Sequence, residues 1–163
     1  SHPTVGNGNQ SNTIGATDLS EAALETATIA ITKIKDDRGI LVGASTKSLH
    51  IPSDLIYTAD QILNSPGTTT AGGSAAFAQN NINAIRNQSV VSDGFYVNRR
   101  LTDGNAWFLK TDVPNGTKMF VRVPLQTKME PDFDTGNMRF KSRERYAFGW
   151  SDWRQWRGAS GSS

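Results

Sequence analysis

From Arg139 to Trp150 the chain alternates. One set of alternate positions is Arg139, Lys141, Arg143 and Arg145; the other is Phe140, Ser142, Glu144, Tyr146, Phe148 and Trp150. Side chains two apart share a face of a β-strand, so this segment is a long strand with one basic face and one mixed, aromatic face. A stacking platform for single-stranded nucleic acid needs cations and rings on one surface. Here they are opposed, so the expectation is that the aromatic face packs on a core while the basic face meets solvent or acidic surfaces. Charge gathers in this region: residues 139–163 hold six Arg/Lys and two Asp/Glu, in a chain of 163 residues with a net charge of +2. The tail that follows repeats Trp-Arg at three-residue spacing, as Trp153, Arg154, Trp156 and Arg157. Tryptophan rings gain from being covered, and the arginine fork pairs with carboxylates at interfaces. These four are therefore the candidate subunit-interface residues, with the tail docked either on its own domain or on a neighbouring subunit.

The start of the chain follows a different period. Residues 3–16 are mostly Gly, Asn, Thr and Ser and read as a flexible leader. Asp18 is placed to cap a helix, with Glu21 as its capping-box partner. Leu19, Ala23, Ala27, Ala30 and Ile34 then recur at steps of three and four, and Arg38-Gly39 closes a helix of about 19 residues, roughly 28 Å long. Ile40-Leu41-Val42 and Ser48 to Ile51 are short strand candidates. Pro52 suits the start of a second helix over Ser53–Asn64, with Leu55, Ala59, Ile62 and Leu63 facing inward. Thr68 to Ser74 reads as a mobile loop, and residues 75–87 fit either a weak helix or an ordered loop. From Ser89 to residue 124, short β-branched and aromatic runs alternate with Asp93-Gly94, Asp103-Gly104 and Pro114-Asn115-Gly116, which predicts an antiparallel meander.

Catalytic chemistry finds little purchase. The chain has no cysteine and only two histidines, His2 and His50. A disulfide scaffold, a thiolate zinc site and a cysteine nucleophile are excluded. Asp36-Asp37 reads as a solvated helix end. Glu130, Asp132 and Asp134 read as an acidic loop, because the spacing lacks the glycine and closing glutamate of a calcium loop. His50, inside an apolar run, reads as a structural histidine. No nucleophile elbow, phosphate loop or paired-histidine zinc motif occurs. No run of 18 apolar residues is available to span a membrane. The opening Ser1-His2-Pro3 suggests a fragment expressed from within a longer protein.

Four stretches in this order carry a resemblance. They are Asp18-Leu19-Ser20-Glu21 running to Asp36-Asp37-Arg38-Gly39; Lys47-Ser48-Leu49-His50-Ile51-Pro52 with Ala59-Asp60-Gln61-Ile62-Leu63; Val90-Val91-Ser92-Asp93 with Asp103-Gly104-Asn105-Ala106-Trp107-Phe108-Leu109; and Arg145-Tyr146-Ala147-Phe148-Gly149-Trp150-Ser151-Asp152-Trp153-Arg154. Together they resemble the C-terminal part of the major capsid (head) proteins of tailed bacteriophages and prophages, over residues 18–158. The resemblance implies an α+β fold of two lobes. An axial lobe, residues 46–136, would hold a central sheet flanked by helices. A peripheral lobe, residues 18–45 and 137–158, would hold the spine helix and a long β-element. Residues 1–17 would be a leader and 159–163 a disordered tail. The implied role is self-assembly into hexameric and pentameric capsomers of an icosahedral head that encloses genomic DNA. Assembly would take place in the bacterial cytoplasm, with no catalytic residue, metal, cofactor or membrane. Thr68 to Ser74 and the Asp103-Gly104 turn are weaker contact candidates near the capsomer axis. The family's N-terminal arm and the extended hairpin ahead of its spine helix have no counterpart here, so the chain alone is expected to be monomeric or weakly associating. The alternative reading is a nucleic-acid-binding module built on the basic, aromatic C-terminal segment.

Overall fold

The computed structural model describes residues 2–4, 8–67 and 82–162. The loop expected over Thr68 to Ser74 lies outside them, as do residues 75–81. The described chain divides into two units: residues up to Pro114 together with those from Trp153 onward, and Asn115–Asp152.

The first unit is an α+β body. Its sheet has five strands in the order β3 (Thr13–Gly15), β9 (Trp156–Ala159), β6 (Trp107–Thr111), β4 (Thr46–Ile51) and β5 (Phe95–Val97). The two outermost pairings are parallel and the two inner ones antiparallel. Alternation sets the faces: Leu49 and Leu109 stand opposite each other, and with Ile51 and Trp107 they are fully buried. They share one core with Leu24 and Ile31 of α1 (Glu21–Thr32) and with Ala59 and Ile62 of α2 (Ile56–Asn64). The helix expected to belong to a separate lobe thus contributes to the same core as the sheet. A short α3 (Ala84–Asn87) is capped by Asn83, whose buried amide also donates to the Ile62 carbonyl at 2.6 Å. Two further strands, β1 (His2–Thr4) and β2 (Gly8–Gln10), form an antiparallel pair.

Several expectations are met. β4, Pro52 and α2 follow in the predicted order, with Ala59 and Ile62 buried and Leu55 and Leu63 packed at the core's edge. Others are corrected. The leader holds three short strands, because ladder bonds need only backbone groups and are open to Asn, Thr and Gly. α1 is 12 residues long, not about 19. Ser20 caps it, accepting from the Ala23 N–H at 3.2 Å, while Asp18 is engaged elsewhere. At the other end the Asp36 carboxylate accepts from the Arg38 and Ile40 N–H groups, both at 2.8 Å. A side chain that bonds nearby backbone in this way competes with the helix ladder, so a turn replaces the last two helical turns. Ile40–Val42 is no strand; it makes only an isolated bridge from Leu41 to Lys35 and is exposed. The meander is also absent. β5 and β6 pair on opposite sides of β4, and the turn at Asn115 (φ 65°) leads into a strand that does not pair with β6. The C-terminus is not disordered from residue 159: the Ser162 N–H and hydroxyl donate to Asp18 at 2.8 and 2.6 Å.

The second unit is one antiparallel hairpin, β7 (Thr117–Pro131) with β8 (Met138–Trp150). The long strand expected over Arg139–Trp150 is therefore present, and its partner is β7. A lobe boundary at residues 136 and 137 would cut through the loop joining these two strands.

Candidate assembly interface

The hairpin's register builds its surface. Thr117 stands opposite Trp150, Met119 opposite Phe148, Val121 opposite Tyr146, Met129 opposite Phe140 and Pro131 opposite Met138. Directly paired residues share a face, so the aromatic positions of β8 join the apolar positions of β7 in one row. The ladder slips between Val121 and Gln126, near Pro124, which has no N–H to give to it. The row is not covered: Phe140 is 74%, Phe148 73% and Trp150 66% exposed. Tyr146 and Phe148 touch edge to face, with centroids 5.4 Å apart. Within the hairpin unit this face has no core of its own to pack on. Among the described residues no third strand pairs with either edge. A lone two-stranded ribbon is marginal in water, and a large exposed apolar patch marks an interaction site.

The acidic loop is the hairpin's turn. Asp132 accepts from Arg139 at 2.6 Å and from the Thr135 hydroxyl at 2.8 Å, and its backbone N–H bonds the Asn137 carbonyl. Among the described residues no group of three or more His, Cys, Asp or Glu side chains is placed to hold a metal ion, and no helix is long and apolar enough to cross a membrane.

The four tail residues lie in the body and are engaged there. The Trp153 ring stacks on His2 at 4.2 Å, and the Arg154 guanidinium lies 4.8 Å over it. Arg154 also donates to the Lys35 carbonyl at 3.2 Å and pairs with Asp37 at 3.0 Å. Trp156 meets the edge of His50 at 4.9 Å on the sheet face away from the core. Arg157 stands opposite Leu109 on the other face, half-buried, its Nε without a hydrogen-bond partner among the described residues, and burial lowers its pKa. The sequence placed these residues in one docking tail; the structure pairs Trp153 with Arg154 and sends Trp156 and Arg157 to opposite faces of β9. Gly158 is needed here, since a Cβ would sit 2.6 Å from the Phe108 ring. In the Asp103-Gly104 turn, Asp103 accepts from the Asn105 N–H at 3.0 Å.

The titratable groups of the body predict a two-step acid response. Burial, then the charge of Lys110, hold His50 below its ordinary 6.5. The folded state therefore resists protonating it, and stability should fall as pH drops through 6.5. Hydrogen bonds from Ser162 lower Asp18, and those from Ser45 lower Asp112, both from 3.8. Their contribution is complete above that value and is lost as pH falls below it. Melting temperature against pH should thus fall in two stages, and His50→Gln should remove the upper one.

The chain matches the phage capsid protein family over residues 2–158, nearly its whole length, and belongs to it. That family is structural and non-enzymatic; capsid proteins oligomerise, and the virion is where such a protein resides. A comparison with curated proteins finds no match.

Proposed function

We propose that this protein is the major capsid subunit of a tailed phage or prophage head and that the β7–β8 hairpin is its principal assembly element. The observation that carries this is the uncovered row Met119, Phe148, Tyr146, Met129 and Phe140 on a ribbon with no core of its own. A neighbouring copy supplies the missing apolar surface. Repeated around an axis, the same contact is heterologous and closes into rings, the geometry of hexameric and pentameric capsomers. On this reading the body's sheet with α2 and α3 stands for the axial lobe of the family's fold, and α1 with the hairpin for the spine helix and long β-element of its peripheral lobe. The chain on this reading associates through the hairpin that follows α1, in place of the monomer or weak association expected from the elements ahead of the spine helix. Trp153, Arg154, Trp156 and Arg157 support the contact secondarily, through the part of their surface that stays accessible; the Arg154 side chain is only 13% exposed.

Deleting the hairpin tests this. Asp152 donates its N–H to the Asn115 carbonyl at 2.9 Å, so a short Gly–Ser link can rejoin the ends. The body keeps its own core and should stay folded by circular dichroism. Sedimentation velocity and negative-stain electron microscopy should find rings or shells with the intact chain and monomers with the shortened one. Equal assembly by both chains would refute the proposal.

A further inference from the structure

The other face of the same ribbon carries a separate row. Arg139, Lys141, Arg143 and Arg145 alternate along β8, and the register sets Lys128 directly opposite Lys141 and Gln126 opposite Arg143. All are exposed. Arg139 has a carboxylate partner in Asp132 at 2.6 Å. Lys128, Lys141, Arg143 and Arg145 form no ion pair among the described residues. Like charges directly across a ladder destabilise it, so the Lys128–Lys141 pair weakens the ribbon in isolation. A polyanion laid along the row removes that cost. The four β8 cations step by about 6.8 Å and span roughly 20 Å, which suits a run of phosphates.

We infer that this face binds the phosphodiester backbone of double-stranded DNA without sequence preference. Several of the chain's own carboxylates are already engaged. Asp18, Asp36 and Asp112 already accept internal hydrogen bonds, and Asp37 pairs with Arg154. A two-stranded ribbon also fits the major groove of a duplex, and using the basic face leaves the aromatic face free. Besides the cations this face holds the Gln126 amide, Val123 opposite Arg145 and, opposite Arg139 at the turn end, the Glu130 carboxylate. The run from Lys141 to Arg145 with Lys128 is free of carboxylates across the ladder, so it grips backbone and does not read bases. The inference stands on the charge row and does not need the aromatic face to be the assembly contact.

The test is fluorescence anisotropy of the full chain with a mixed-sequence DNA duplex at several salt concentrations. About four or five phosphate contacts give a slope of log K against log salt near −4. Changing Lys128, Lys141, Arg143 and Arg145 together to Gln should bring the slope to about −1. Arg143→Lys with Arg145→Lys, which keeps the charges, should retain it. A flat salt dependence in the unaltered chain overturns the inference, as does an unchanged slope in the four-site variant. Loss of self-association with an unchanged slope would assign the basic row to a neighbouring subunit, and also overturns it.

Discussion

Chains carrying Phe140→Asp together with Phe148→Asp are expected to stay folded and to stop assembling. Both rings are about three-quarters exposed and neither belongs to the body's core cluster, so their removal leaves that core intact. Each lies in the apolar row, Phe140 opposite Met129 and Phe148 opposite Met119. Covering a phenylalanine is worth about 1.5–3 kcal/mol, so losing two removes about 3–6 kcal/mol from each contact. An unpaired carboxylate left in an apolar interface adds a desolvation cost of several kcal/mol. At 1.4 kcal/mol per tenfold, subunit affinity should fall by at least about 100-fold, and by up to about 10⁴-fold from the lost rings alone. Sedimentation velocity should show monomers at concentrations where the unaltered chain associates, with an unchanged melting temperature for the body. Assembly equal to that of the unaltered chain would mean that the aromatic row is not the contact.

Part of this hairpin is legible in the sequence and part is not. β8 announces itself because Arg139–Trp150 alternates without a break, and a period of two has one structural meaning at that length. β7 hides because Pro124 and the ladder slip between Val121 and Gln126 break its alternation, so Met119–Val123 reads as one short strand and Glu130 to Asp134 as a separate loop. Which strand pairs with which is a long-range property. Local periodicity finds β4, β5 and β6, but it cannot tell that β6 lies between β4 and β9. The end of α1 turns on one side chain: apolar spacing continues to Ile34, and the Asp36 carboxylate captures the backbone beyond it. The tail shows a further limit. Tryptophan and arginine signal that a surface is covered, but a ring gains as much from its own chain as from a neighbour. His2 and Asp37, which hold Trp153 and Arg154, lie more than a hundred positions earlier and leave no trace in the local pattern.

Trp107→Ala acts on the fold that all of this depends on, and its expected effect is the largest on stability. The indole is fully buried on a strand inside the sheet, and its Nε1–H donates to the Thr17 carbonyl at 2.9 Å. Truncation removes the largest fully buried side chain and leaves a cavity, for about 3–5 kcal/mol. It also strands the Thr17 carbonyl, whose bond joins β6 to the segment leading into α1. Against a total stability of about 5–15 kcal/mol, that is a large fraction. A fall in melting temperature of roughly 6–20 °C is expected for a chain of this size. Trp107→Phe keeps most of the packing, loses the hydrogen bond, and should lie between. The two kinds of failure separate cleanly. Trp107→Ala should lose assembly at the lowered temperature where the body unfolds, with circular dichroism falling in step. The hairpin variant should lose it while the circular dichroism of the body holds. If Trp107→Ala melts at the temperature of the unaltered chain, the core does not rest on this indole, and the arrangement of β6 between β4 and β9 has to be reconsidered.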